Sequence, residues 1–256
     1  TDIRLISQSL RGCIDSVDIT VINVPSITVD NNNLYVQRFE SGSPDWFNSN
    51  QFGLGVNDSW DLLTQTTEVL SDNSTLWVTN NGSTTYNESE DSWVASACFN
   101  IDDLDKPTFF FDGRVDVQDG IDGAVLQYAV MNDTIPLAEL NWHPLGNTTS
   151  GANWFNSSSI IANPGDQAVA PLGWTGYDDT LIGLTSSIYK LDDVKDSAFG
   201  NKVVFRFAFA SDAVNPATRP FEGFAFDNIE IASRNKIVLV EHFTNEGISC
   251  SDCATQ

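Results

Sequence analysis

"TFFFDGRVDV", residues 108 to 117, decides the fold class. Phe109, Phe111, Val115 and Val117 fall on one face of an extended chain, and Asp112, Arg114 and Asp116 fall on the other. A period of two with one apolar side is that of a half-buried strand with one wet face. Working outward, "DGAVLQYAV" (122 to 130) follows "QDGI" as the second arm of a hairpin. "NKVVFRFAFASD" (201 to 212) puts Phe205, Phe207 and Phe209 on one side, and "EGFAFDNIEI" (222 to 231) closes the series. Gly, Asn and Asp clusters separate these runs, and 16 Phe, 7 Trp, 17 Gly and 9 Pro suit short strands joined by turns better than helices. The expected class is all-β: a two-sheet antiparallel β-sandwich of jelly-roll type.

The ends read differently. "IDSVDITVI" (14 to 22) alternates through Val17, Ile19 and Val21, and residues 1 to 10 hold another short strand. Residues 1 to 32, ending at the turn-rich "DNNN", are expected to be the tail of a preceding β-domain or added strands, with the sandwich spanning 33 to 233. After Arg234 the texture changes: "KIVLVEHF" (236 to 243) is a continuous apolar strand of the kind a parallel sheet buries, so 234 to 256 reads as a linker and the start of a different domain. The stretch 131 to 195 is rich in turn residues and is expected to form extended loops over one end of the sandwich.

Twelve Lys plus Arg against 35 Asp plus Glu give a net charge of −23. Such a surface repels phosphate backbones and anionic headgroups, which excludes nucleic acid as a partner. No apolar run approaches the length that spans a bilayer, so no membrane insertion is expected. Four cysteines are too few for a disulfide framework. Cys13 and Cys98 either bridge in an oxidising compartment or stay as free thiols.

An ordered set of motifs resembles the MAM-like, concanavalin-like jelly-roll modules of secreted and cell-surface proteins, especially those appended to large exported bacterial proteins. The set is "FESGSPDWF" (39 to 47), "SW" (59 to 60), "LWVTNNGSTTYNESEDSWVAS" (76 to 96), "DGAVLQYA" (122 to 129), "GWTGY" (173 to 177), "FRFAFASD" (205 to 212) and "GFAFDNIEI" (223 to 231). At the end, Val240, Glu241, His242, Phe243 and Thr244, followed by Cys250 and Cys253, resemble the opening of the thioredoxin-like domain of Omp28-type exported bacterial proteins. There a strand delivers the first Cys to a helix N-terminus, whose dipole favours the thiolate. The dithiol is a redox site only if that domain follows in full. Asp-hydroxyl-apolar triplets around Ser16, Thr134, Thr180 and Ser197 resemble O-glycosylation sites of Bacteroidetes-type exported proteins, and Asn57, Asn73, Asn81, Asn87, Asn132, Asn147 and Asn156 each open an Asn-x-Ser/Thr triplet.

Candidate sites are few. Asp227 shares the period-two face of Ala225, Ile229 and Ile231, which aims a carboxylate inward, where a charge needs a partner or a metal. In a jelly roll the first and last strands are neighbours, bringing Glu40 toward Asp227. An oxygen-rich pocket there suits a structural Ca²⁺, which the resemblance also implies at this junction, with Asp91, Asp122 and Asp212 as loop ligands. The alternative is that Asp227 accepts backbone or indole N–H bonds while Glu40 pairs with Arg38 or Arg206. Trp142 and Trp154, in the loop-rich stretch, are the candidates for stacking on sugar rings; the other tryptophans read as core. The chain has no Gly-x-Ser-x-Gly, His-Glu-x-x-His or phosphate loop, and its two histidines, His143 and His242, read as surface or strand packing. The function expected is a non-catalytic extracellular module for adhesion, ligand display or spacing, with a protein or glycan ligand and other domains of the same polypeptide as partners. The alternatives are a carbohydrate-binding accessory module of a secreted hydrolase, favoured by an exposed coplanar tryptophan pair, and part of a thiol oxidoreductase.

Overall fold

The computed structural model describes residues 2–20, 23–64, 74–80, 82, 85–131, 139–178, 183–214 and 220–234. The reading of 236 to 243, Cys250 and Cys253 therefore lies outside the described residues, as do Asn73, Asn81, Asn132, Thr134, Thr180 and His242.

In chain order the elements begin with β1 (Asp2–Gln8), β2 (Ile14–Thr20), β3 (Ser26–Thr28), β4 (Tyr35–Gln37), β5 (Trp46–Asn48), α1 (Ser49–Phe52), β6 (Trp60–Thr64) and β7 (Thr75–Thr79). They continue with β8 (Asp91–Ser96), β9 (Cys98–Asn100), β10 (Pro107–Asp116), β11 (Gly123–Met131), β12 (His143–Pro144), β13 (Thr185–Lys190), α2 (Asp192–Ala198), β14 (Lys202–Ala210) and β15 (Gly223–Ser233). One sheet runs β13-β10-β15-β7-β6, with β4 beside the other half of the β15 edge that β7 occupies. The second runs β12-β11-β14-β8-β5 and takes in β9 and β3. The chain is an all-β sandwich, as its alternation predicts.

The core is the set of inward positions of the central strands. Phe205, Phe207 and Phe209 of β14 face Phe109 and Phe111 of β10 and Phe224 and Phe226 of β15, all fully buried. Ring centroids lie 4.8 Å apart for Phe109 and Phe205, 4.9 Å for Phe111 and Phe207, and 4.2 Å for Phe207 and Phe226. Each such ring removes well over 100 Å² from water, so this aromatic layer dominates the hydrophobic driving force.

Two expectations are corrected. First, Asp227 does not share a face with Ile229 and Ile231. The β10–β15 register passes from Phe110↔Glu230 to Asp112↔Asp227, so β15 spends one extra residue there. Asn228, at φ 52°, takes the left-handed conformation that Asn tolerates. This bulge reverses the alternation: Phe224, Phe226, Ile229 and Ile231 all point to the core, while Ala225 packs outside with Leu76 and Val78. Second, Asp116 is not on a wet face; it is buried and accepts the Glu222 N–H at 2.9 Å. Upstream of residue 33, Ser26–Thr28 pairs in parallel with Cys98–Asn100, and Val29 is in the core.

The N-terminal strands β1 and β2 form a separate two-stranded sheet. Leu5, Ile6, Leu10, Ile14 and Val17 are all exposed on it. Cys13, at its turn, is an exposed free thiol, and the Sγ–H of the buried Cys98 donates to Met131 Sδ at 3.3 Å. The stretch 131 to 195, expected to be loops, also supplies strand β13, whose outer edge is closed by Ala152: its N–H donates to Ile188 O at 2.9 Å and its carbonyl accepts the Ile188 N–H at 3.1 Å. Pairing off an edge in this way protects it from intermolecular strand addition.

Candidate functional site: the outer face of the six-stranded sheet

With Tyr35, Phe109, Phe111, Ile229 and Ile231 committed to the core, the residues between them point outward. Val36 pairs with Glu230, Glu230 with Phe110, and Phe110 with Ile188, so four strands contribute one row across the sheet. The next row carries Ala232, Thr108 and Lys190. Val36 is 49% and Ile188 41% exposed, and Leu34, just before β4, is 50% exposed. The result is an apolar platform whose centre holds a single carboxylate, Glu230.

The rim of this platform is polar and concave. A groove of about 610 Å³ is lined by Ser150, Ile188, Tyr189, Lys190, Asp192 and Arg234, among others. A second, of about 590 Å³, lies between Asn31, Leu34, Asp105, Lys106, Ser233 and Arg234. A third, of about 270 Å³, sits over Thr108, Phe110, Ile188, Glu230 and Ala232 and also reaches Arg234. Arg234 is thus common to all three. It is fixed by an ion pair to Asp192 Oδ2 at 2.6 Å and by its backbone N–H to Lys106 O at 3.1 Å. Ser233 Oγ donates to Asn31 Oδ1, and the Asn31 side chain joins Asp105, which ties the β3–β4 loop to the β9–β10 loop beneath the groove. Tyr189 lies against Trp154, ring centroids 5.0 Å apart, and burial together with the nearby Asp193 carboxylate raises its phenol pKa.

No family model matches the chain, and no curated protein matches it. Solved structures are similar in outline. One is of carbohydrate-binding modules of the β-sandwich superfamily: 16% identical, covering 91% of this chain and 73% of that one, TM-score 0.40. Two are cleaved adhesin domains of Lys-gingipain from Porphyromonas gingivalis W83. The K1 domain is 11% identical over 79% of this chain and 99% of that one, TM-score 0.40; the K3 domain is 12% identical over 78% and 98%, TM-score 0.36. The sandwich assignment itself rests on the strand pairing described above.

The five acidic residues expected to share one cation do not converge. Strands β4 and β15 are neighbours, as anticipated, but Glu40 is exposed and its Oε1 accepts the Thr75 N–H at 3.2 Å. Asp227 is buried, and its Oδ1 accepts the Asn228 N–H at 2.6 Å. The other three belong to the opposite sheet and its loops. Asp122 is fully buried, with Oδ2 accepting from Tyr86 Oη at 2.6 Å and Oδ1 from the Asp212 N–H at 2.8 Å. Asp212 Oδ1 in turn accepts the Val214 N–H. Asp91 is beside Arg206, and burial raises its pKa. Among the described residues no group of three His, Cys, Asp or Glu is placed to hold a metal ion. Asp91, Asp122 and Asp212 thus supply no third ligand to Glu40 and Asp227 among the described residues.

The tryptophans also resolve. Trp154, expected to be exposed, is only 7% exposed: its ring packs on Phe111 and Trp174, and its Nε1 donates to Leu145 O at 2.6 Å. Trp46, Trp60, Trp77, Trp93 and Trp174 are likewise buried. Trp142 is half-buried, with the Arg206 guanidinium 4.3 Å from its ring centroid. Arg206 also donates Nε–H to Gln127 Oε1 at 2.7 Å, and burial lowers its pKa to about 10 despite Asp91 and Asp166. No exposed coplanar pair of indoles exists. His143 is exposed and lies 3.1 Å from Asn141 Nδ2.

Sequence reading missed Phe110, Ile188, Glu230 and Arg234 as a set. Their odd-even position next to core residues was legible, but the lateral order of β4, β15, β10 and β13, which places them in one row, joins segments up to about 200 residues apart.

Proposed function

We propose that this chain is a non-catalytic binding module of a larger exported protein, and that its ligand docks on the outer face of the six-stranded sheet around Arg234. The observation that carries this reading is the row Val36, Glu230, Phe110 and Ile188, an apolar strip bordered by three grooves that share one arginine. An apolar centre with a polar, ion-paired rim is the anatomy of a macromolecular contact surface. A protein ligand suits it better than a sugar held by stacking, because six of the seven indoles are buried and the seventh is engaged by Arg206. Secretion or display at a cell surface belongs to the same reading.

The test compares the wild-type protein with Ile188→Asp and Arg234→Glu variants in surface plasmon resonance, against purified extracellular-matrix proteins and a panel of neutral and acidic oligosaccharides. A protein ligand that binds wild type and loses at least about tenfold in affinity to either variant supports the reading, as expected when a central contact is truncated or reversed. Undiminished binding by both folded variants overturns the placement, and binding confined to oligosaccharides overturns the ligand class.

A further inference from the structure

We infer that, among the described residues, Asn147 is the position at which this fold accepts an N-linked glycan. Four Asn-x-Ser/Thr triplets lie within the described residues, opening at Asn57, Asn87, Asn147 and Asn156, and all four asparagines are exposed. Exposure does not separate them; the use of the amide nitrogen does. The Asn57 Nδ2 donates to Glu88 O at 3.0 Å and Ser89 O at 3.2 Å. The Asn87 Nδ2 donates to Asn57 O at 2.8 Å. The Asn156 Nδ2 donates to Thr175 O at 2.8 Å, while its Oδ1 accepts the Thr175 N–H at 3.0 Å. Each of these amides spends at least one of its two N–H groups on a backbone carbonyl, so a sugar must take the other hydrogen or displace that bond.

Asn147 is held the other way round. Its Oδ1 accepts from the Thr149 N–H at 2.9 Å, Thr149 Oγ1 at 2.8 Å and Ser150 Oγ at 3.0 Å. Its Nδ2 has no hydrogen-bond partner among the described residues. The side chain is therefore pinned through its oxygen, leaving the nitrogen for a substituent. The hydroxyl of the third triplet residue also sets Asn57 apart. Thr149 is exposed, whereas Ser59, in the Asn57 triplet, is 1% exposed and donates its hydroxyl to Glu90 at 2.6 Å.

The covalent step needs a lipid-diphosphate-linked oligosaccharide and a separate transferase. The bond between the sugar's anomeric carbon and the diphosphate oxygen breaks, and the lipid diphosphate leaves with the electron pair. A bond from that carbon to Asn147 Nδ2 forms, and the nitrogen gives up one proton. Asn147 borders the docking face proposed above, since Ser150, whose hydroxyl it accepts, lines the groove beside Ile188 and Arg234.

The test is secretion of the full chain from insect cells, with site occupancy read on the folded fraction by peptide mass spectrometry after enzymatic deglycosylation in heavy-oxygen water. Asn147 is expected to be occupied, with occupancy several-fold lower at Asn57 and Asn156. Asn147→Gln should remove that glycan, whereas Asn57→Gln should leave the glycan pattern unchanged and lower the melting temperature of the folded protein, because the Asn57 amide bonds two backbone carbonyls. An unmodified Asn147, or Asn57 and Asn156 occupied as fully as Asn147 in folded protein, overturns the inference.

Discussion

Phe207 and Phe226 stack across the two sheets, ring centroids 4.2 Å apart and planes inclined by 24°. Both are fully buried, and both touch Trp46, with ring centroids 6.0 Å and 5.6 Å away; Phe207 also lies 4.9 Å from Phe111, and Phe226 lies 5.7 Å from Trp60. Truncating either ring leaves a cavity that aromatic neighbours on rigid strands cannot fill, so Phe207→Ala and Phe226→Ala should each cost about 3–5 kcal/mol in urea unfolding. The double variant should cost less than the sum by about 0.5–1.5 kcal/mol, the coupling expected of an aromatic pair. Strict additivity would show that the two sheets are not locked through this contact.

The alternation of residues 108 to 117 and 201 to 212 made the sandwich legible, because a core residue at every second position needs no knowledge of partners. Asp227 was misplaced for a specific reason. A period-two reading continues through residue 228, and nothing in "FDNIEI" signals that the chain inserts an unpaired residue there. Asn is the side chain that tolerates the required conformation, but most asparagines in this chain are not at bulges. The binding face was illegible for a different reason: it depends on which strands lie side by side, and loop closure between distant segments leaves no local pattern.

The bulge gives its own prediction. Asn228 combines a positive φ of 52° with an amide donated to Asp112 Oδ2 at 2.9 Å. Asn228→Gly keeps the conformation and loses only the amide bond, about 1 kcal/mol. Asn228→Val adds a β-branched residue in the left-handed region and should cost about 1–3 kcal/mol more. Equal unfolding midpoints for the two variants would contradict the bulge.

The N-terminal hairpin makes no ladder with either large sheet, and its apolar residues from Leu5 to Val17 are exposed. A two-stranded sheet of this kind adds little to the stability of the unit beside it. A chain beginning at residue 23 should therefore keep the melting temperature of the full chain within about 2 °C, a shift corresponding to about 0.5–1 kcal/mol for a domain of this size. A larger drop in a calorimetric scan would show that the hairpin packs on the sandwich.

Glu90 sets the pH response. It is 2% exposed, and no cation bonds it: Oε1 accepts from the Ser59 N–H at 2.8 Å and Ser92 Oγ at 2.5 Å, and Oε2 accepts from Ser59 Oγ at 2.6 Å. Burial raises its pKa from 4.5 to about 7; the three donors oppose that shift, and the nearby Asp58 carboxylate adds to it. Below pH 4.5 the group is protonated in both the folded and the unfolded chain, so it contributes no pH dependence. Between these two values the unfolded chain ionises first, and stability falls as pH rises; above about 7 both states are ionised and the full cost, on the order of 3 kcal/mol, is present. Glu90→Gln removes the step while keeping an acceptor for Ser59, whose hydroxyl and that of Ser92 can turn to accept from the amide. Urea unfolding at pH 4, 6 and 8 should show the variant gaining on the wild type as pH rises, by about 1–3 kcal/mol at pH 8. Asp91 and Asp122, which burial shifts in the same direction, remain in both proteins and cancel in the difference. Parallel curves across this range would mean that Glu90 ionises as readily in the folded chain as in the unfolded one.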